Sequence, residues 1–118
     1  MQAEKLEWSL AINDDRIALQ LIGELSRHTL LPLWKEFQQK QQRFAFLSHA
    51  QMEHTDIYWN LAGITRIDSA GFALLCEMIA NCRKMQSAHV ILRLENVPPQ
   101  LFTLADLFNL DDWLKSFI

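Results

Sequence analysis

A chain of 118 residues can bury one hydrophobic core but not two, so a single domain spanning residues 1–118 is expected. Half of its residues are hydrophobic and only three are glycine, a composition of folded chains and not of disordered ones. The net charge of −3 and a pI near 5.7 argue against nucleic acid as a partner, because phosphate binding needs clustered bases and none are clustered here.

The opening "MQAEKLEWSL" carries Glu4, Lys5 and Glu7 where a secretory leader needs a basic start and an apolar run. The longest stretch without an acid or a base is about ten residues, against the ~20 that span a bilayer. A cytoplasmic chain without direct membrane insertion is therefore expected, any membrane association coming through a partner. Cys76 and Cys82 stand six apart with no CxxC, the pattern of two free thiols in a reducing compartment.

In chain order, "LEWSLAI" alternates with Leu6, Trp8, Leu10 and Ile12 on one face, and "RIALQLIGEL" does the same with Ile17, Leu19 and Leu21. The turn residues Asn13 to Asp15 lie between them, so the two strands read as an antiparallel hairpin. From Leu30 the period changes. Leu30, Leu33, Trp34, Phe37, Gln41, Phe44 and Leu47 step by three or four, an amphipathic helix with Pro32 in its first turn. "SHAQMEHT" is a polar connector. "DIYWNLAGI" is rich in β-formers and mostly apolar, as a buried central strand would be. "SAGFALLCEMIANCRKMQ" is a second helix, "HVILRLEN" a further strand, and "VPPQLFTLADLFNL" a third helix behind two prolines. "DDWLKSFI" adds a last apolar docking segment. The order β-β-α-β-α-β-α implies an α/β fold, a small mixed sheet covered by three to four helices.

The junction "RIDSAGFALLCEM" carries the most chemistry. Either Asp68 or Ser69 can cap the second helix by accepting a bond from a free N–H of its first turn, worth about 1 kcal/mol. The same free N–H groups and positive dipole end would tolerate a phosphate, which makes Ser69 a candidate phosphoacceptor. At about 100° per residue, Gly71, Leu74, Leu75, Met78, Cys82 and Met85 form a core stripe, and Phe72, Ala73 and Cys76 fall with Ser69 on the other side. A row of apolar residues beside a cap hydroxyl suggests a docking surface, although a neighbouring loop could cover it equally well.

The stretch "NLAGITRIDSAGFALL" resembles the signature of STAS domains: an apolar strand, a short turn, then Asp-Ser/Thr-small-Gly-apolar opening a helix. Asp68, Ser69, Ala70, Gly71 and Phe72 fill it. The resemblance implies the anti-sigma-factor-antagonist fold. "LLPLW" and "FTLADLFNL" point, within that family, to the small STAS subunits of ABC transporters that move phospholipids between the membranes of Gram-negative bacteria and contribute to outer-membrane lipid asymmetry.

Such subunits are non-catalytic. They bind the transporter's ATPase, which works with permease and substrate-binding subunits. The resemblance implies no cofactor, a place at the inner membrane through that partner, and a contact site at Asp68, Ser69, Phe72, Ala73 and Cys76. The alternative within the family is an anti-sigma-factor antagonist switched by phosphorylation of Ser69. The segment from Phe37 to Thr55 looks long for the transporter subunit.

Catalysis is not expected. No GxSxG, P-loop or HExxH occurs, and Asp68 beside Ser69 does not supply the base a nucleophile needs. His28, His49, His54 and His89 are too scattered to suggest a metal site. Most of the tryptophans belong to a core on this pattern. Trp113 could either close that core or stand at a partner's rim.

Overall fold

The computed structural model describes residues 5–13, 16–39 and 53–118. Its elements are β1 (Leu6–Asn13), β2 (Arg16–Leu25), α1 (Leu31–Gln39), β3 (Asp56–Ile67), α2 (Ser69–Met85), β4 (Leu92–Glu95), α3 (Pro99–Leu107) and α4 (Asp111–Lys115). The four strands lie in sequence order in one sheet. β1 and β2 form the expected antiparallel pair, and β2–β3 and β3–β4 are parallel. The hairpin tip and the expected continuation of the first helix through Gln41, Phe44 and Leu47 lie outside the described residues, as does His49.

Alternation decides which face of the sheet becomes the core. The register Trp8↔Leu21, Leu10↔Leu19, Ile12↔Ile17 carries the apolar set across β1 and β2. Ile17↔Ile57 and Leu19↔Trp59 pass it to β3, and Ile57↔Leu92 and Trp59↔Leu94 pass it to β4. Both parallel crossovers step the same way along the sheet. The right-handed rule then puts α1 and α2 on the same side. Leu33 of α1 and Leu74, Leu75, Met78 and Cys82 of α2 accordingly share one buried cluster with Trp59, Leu61 and Leu19.

No described residue buries the opposite face. Across it run Ala11, Ala18, Tyr58 and Arg93, then Ser9, Gln20, Asn60 and Glu95, all exposed or half-buried. Arg16 lies over the Tyr58 ring at 4.0 Å, a cation–π contact of the kind a wet sheet face keeps. β3 is thus not the doubly buried strand its composition suggested. Ile57, Trp59 and Leu61 point inward, and Tyr58, Asn60 and Ala62 point out.

β3 also runs three residues beyond Ile64, to Ile67. Its pairing with β2 slips by one residue twice, between Gln20 and Ile22 and between Gly23 and Glu24. Each slip inserts an extra residue into β3 and swings Ile64 and Ile67 inward. β4 is shorter than the apolar run "HVILRLEN", and the chain end blunts its edge: Leu94 N–H donates to the Phe117 carbonyl at 2.7 Å.

Two glycines are fixed by space. Gly23 has φ +105°, and any side chain there would collide with the Lys5 carbonyl. Gly71 lies in the first turn of α2, where a Cβ would collide with the backbone carbonyl of Leu25 at the end of β2. The glycine of the Asp-Ser-Ala-Gly-Phe stretch is therefore what lets α2 begin hard against β2. Gly71→Ala is expected to cost about 3 kcal/mol or more, since backbone and not a flexible side chain must give way. Urea unfolding checks it, and a cost below about 1 kcal/mol would mean that the helix shifts freely.

Candidate functional site

Asp68 settles the capping question. It sits at the N-cap in extended geometry, and its Oδ1 accepts from Gly71 N–H at 2.8 Å. Its Oδ2 accepts from Arg27 N–H at 3.1 Å, tying the turn after β2 to the start of α2. Partial burial pushes the carboxyl pKa up. The N–H groups of Gly71, Arg27 and Ala70 and the Arg27 charge outweigh it, and the net shift is below the ordinary 3.8.

Ser69 is left as the first helical residue, exposed, its hydroxyl without a hydrogen-bond partner among the described residues. A hydroxyl set beside free N–H groups and not consumed by the cap is chemically available to a partner.

The turn behind it is a polar network that sequence reasoning missed. Glu24 is buried. Its Oε2 accepts from Ser26 Oγ at 2.6 Å, and its Oε1 stands 3.9 Å from Arg66 Nη1. Thr29 Oγ1 donates to the Glu24 carbonyl at 2.6 Å and accepts from Ser26 N–H at 3.0 Å. His28 N–H donates to Ser26 Oγ at 3.2 Å. The hint was an acid and two hydroxyls, Glu24, Ser26 and Thr29, next to the buried end of β2. The network also shows that the bases are less scattered in space than in sequence. Arg27 and Arg66, 39 positions apart, both stand at the start of α2.

The outer side of α2 differs from expectation in one residue. Ala73 is exposed and Cys76 half-buried, as the periodicity suggested, and Glu77 and Ala80 continue the row. Phe72 is not on it. It is 2 % exposed and stacks on Phe108 at 6.0 Å between ring centroids. The reason is the turn that follows α3. Asn109, with φ 60°, lets Leu110 N–H reach the Ala105 carbonyl at 2.7 Å and Asn109 N–H reach that of Asp106 at 3.1 Å, a Schellman ending. That turn folds Phe108 down over Phe72 and leaves Leu107 outside.

The outcome is an apolar surface built from two elements. A groove of about 330 Å³ is lined by Cys76, Glu77 and Ala80 of α2 and by Leu110 and Trp113 beyond the turn. Leu107 is 73 % exposed, and Phe108, 47 % exposed, lies over Phe72 in the first turn of α2. Trp113 does both things the sequence left open: it packs on the core, edge-on to Phe117 at 5.1 Å, and walls the groove. Burial pushes the Cys76 thiol up to about 11 and Cys82 higher still, so neither is a nucleophile at neutral pH. His28, His54 and His89 are exposed and apart.

Residues 8–116 match the family model described as Mlab, STAS domain. The chain belongs to that STAS family. It is 49 % identical to the intermembrane phospholipid transport system binding protein MlaB of Haemophilus influenzae, over 96 % of this chain and 99 % of that one. It is 31 % identical to the protein of the same name in Escherichia coli K12, over 92 % of each. Among solved structures, the unphosphorylated anti-sigma factor antagonist SpoIIAA aligns with a TM-score of 0.56 at 17 % identity, covering 91 % of this chain and 84 % of that one. That likeness shows the shared fold. The stretch from Asp68 to Gly71 thus has a physical reading: cap, free hydroxyl, small neighbour, close approach.

The two residues of the cap should separate cleanly on mutation. Asp68→Ala is expected to cost about 1–2 kcal/mol, whereas Ser69→Ala stays within about 0.5 kcal/mol. Because the Asp68 pKa is lowered by folding, its contribution is present above the ordinary carboxylate value and lost as pH falls through the folded one. The stability gap between wild type and Asp68→Ala should therefore narrow below about pH 4 in denaturant titrations. Phe72→Ala, by contrast, should cost about 3 kcal/mol or more, as removal of a core aromatic does.

Proposed function

We propose that this protein is the non-catalytic binding subunit of an Mla-type ABC phospholipid transporter. It docks on the ATPase subunit (MlaF-like) and supports the assembly and activity of the complex with permease and substrate-binding subunits. In this reading it is cytoplasmic and peripheral to the inner membrane, held there through the ATPase, and contributes to lipid asymmetry of the outer membrane. The family and the high identity to a named transport-system binding protein support the assignment. No helix among the described residues is long and apolar enough to cross a membrane, which fits attachment through a partner.

The observation that carries the reading is the apolar surface beside Ser69. Cys76, Leu110 and Trp113 line one groove, Ala73 precedes Cys76 on the same flank of α2, and Leu107 and Phe108 expose large apolar side chains in the turn after α3, a concentration of apolar surface that marks a protein contact on a small domain. Asp68 and Ser69 stand at the start of α2, and Ser69 is the hydroxyl available to hydrogen-bond across such a contact. Ala73 and Ala80 carry almost no side chain, so a partner can approach the α2 backbone closely. Phe72 contributes from below, as the platform under Phe108.

Phosphorylation of Ser69, as in an anti-sigma-factor switch, is the rival use of the same hydroxyl. Arg27 and Arg66 near the start of α2 would lend such a phosphate some charge support. What favours the unmodified hydroxyl is the apolar band it borders, where a dianion would have to be desolvated on docking.

The test is copurification of the tagged chain with the ATPase from host membranes in mild detergent. Wild type should bring down the ATPase and permease. Leu107→Glu, on a side chain too exposed to matter for folding, should lose them while stability stays within about 0.5 kcal/mol of wild type. Capture of a soluble kinase instead of the ATPase would move the assignment to the switch.

A further inference from the structure

The two edges of the sheet are treated differently. At β4 the chain end takes the Leu94 N–H onto the Phe117 carbonyl. β1, at the other edge, has no such guard among the described residues. It runs for eight residues without proline, pairs with β2 without a bulge, and holds one charged residue, Glu7. Edges of that length and regularity are normally blocked, because their outward main-chain groups accept another strand.

The direction of those groups follows from one bond. Glu24 N–H donates to the Lys5 carbonyl at 2.8 Å, so Lys5, and by alternation Glu7, Ser9 and Ala11, aim their main-chain groups at β2. Leu6, Leu10 and Ile12 aim theirs outward, where no described residue meets them. The same residues, with Trp8, turn their side chains to the core face, and there burial fades. Ile17, Leu19 and Leu21 of β2 are at most 3 % exposed, whereas Leu6, Trp8 and Leu10 are half-buried and Ile12 is 49 % exposed. A groove of about 450 Å³ is lined by Leu6, Glu7, Trp8 and Ser9, with Ile22. Consecutive strand residues point to opposite faces, so a space that all four border lies along the edge.

A strand that fits there carries apolar residues at alternate positions, outward main-chain groups on those same residues, and no acid opposite Glu7. β1 itself meets all three demands when turned end over end about Ser9. Leu6 then falls opposite the partner's Ile12 and Trp8 opposite the partner's Leu10, apolar against apolar. On the other face, Glu7 falls opposite the partner's Ala11, clear of its own copy. We infer that β1 is a dimerisation edge, pairing antiparallel with β1 of a second copy of this chain about a two-fold axis at Ser9 and joining two four-stranded sheets into one. The apolar stripe runs unbroken through the axis, and the exposed Ile12 is covered by the partner's Leu6.

Sedimentation equilibrium of the full chain over about 5–500 μM tests this, since an edge pairing is small and therefore weak. Wild type should pass from monomer to dimer across that range. Ser9→Lys sets two ammonium groups opposite each other at the axis and should raise the dimer dissociation constant at least about tenfold. Its monomer should be as stable as wild type, because Ser9 is exposed. Cysteine placement reads the register. Ser9 and its copy form a pair with Cα atoms about 4.5 Å apart, within disulfide reach. Ser9→Cys should therefore link to itself on mild oxidation, as neither wild type nor Ala11→Cys does. Ala11→Cys should link only when mixed with Glu7→Cys. A wild type that stays monomeric throughout would overturn the pairing, as would equal linking of Ser9→Cys and Ala11→Cys. A dimer abolished by Leu107→Glu and indifferent to Ser9→Lys would place self-association at the α2 groove and overturn it too.

Discussion

Everything at the candidate site hangs on one joint, the meeting of the end of β2 with the first turn of α2. Gly71 lets the helix start in contact with the Leu25 carbonyl, and Asp68 N–H donates to that same carbonyl at 3.3 Å. The Asp68 carboxylate then spends one oxygen on α2 and the other on the turn at Arg27. Two regions some forty residues apart, the end of β2 with its turn and the start of α2, are fixed to one another by a single side chain and a missing one. A capping acid usually stabilises its own helix. Here it also sets where the helix stands relative to the sheet, and hence where Ser69 is displayed.

The sheet's handedness supplies the second constraint. Because both parallel crossovers are right-handed and step in the same direction, the helices accumulate on one face, and the core is a two-layer sandwich. Among the described residues, α2 has the sheet on one side and no full layer on the other. Its outer side is left to α3 and α4, which are short and reach only part of it. The apolar band at Ala73, Cys76 and Ala80 is the part they leave uncovered, and the Schellman turn at Asn109 adds Leu107 and Phe108 to it.

Much of this was legible in the chain. The hairpin followed from strict alternation around Asn13, α2 from its period, and the STAS likeness from Asp68 to Phe72. Short-range patterns carry that information, and they were reliable where packing followed the period. Phe72 shows where they stop. Helical geometry alone placed it with Ala73 and Cys76, and it is buried in the core cluster, with Phe108, 36 positions later, stacked on it. Likewise, composition made β3 look buried on both faces, since Tyr58 and Ala62 count as apolar without saying which layer covers them. The Glu24 network and the convergence of Arg27 with Arg66 depend on two register slips in β3 that no local signal announces.

Burial of Phe72 changes what a mutation at the proposed interface can mean. A substitution there removes core packing and the support of Phe108 at once, so lost binding and lost folding would arrive together. Residues whose side chains stand in solvent keep the two apart. Leu107 projects from a turn whose shape is held by backbone bonds of Asn109 and Leu110, and those bonds do not depend on the Leu107 side chain. Ser69 is similar, since the cap is provided by Asp68 and the hydroxyl is spare. A docking surface made of such residues can vary with its partner while the joint beneath it stays fixed. That division separates the residues that hold the corner together, Asp68 and Gly71, from those free to meet another molecule, Ser69 and Leu107.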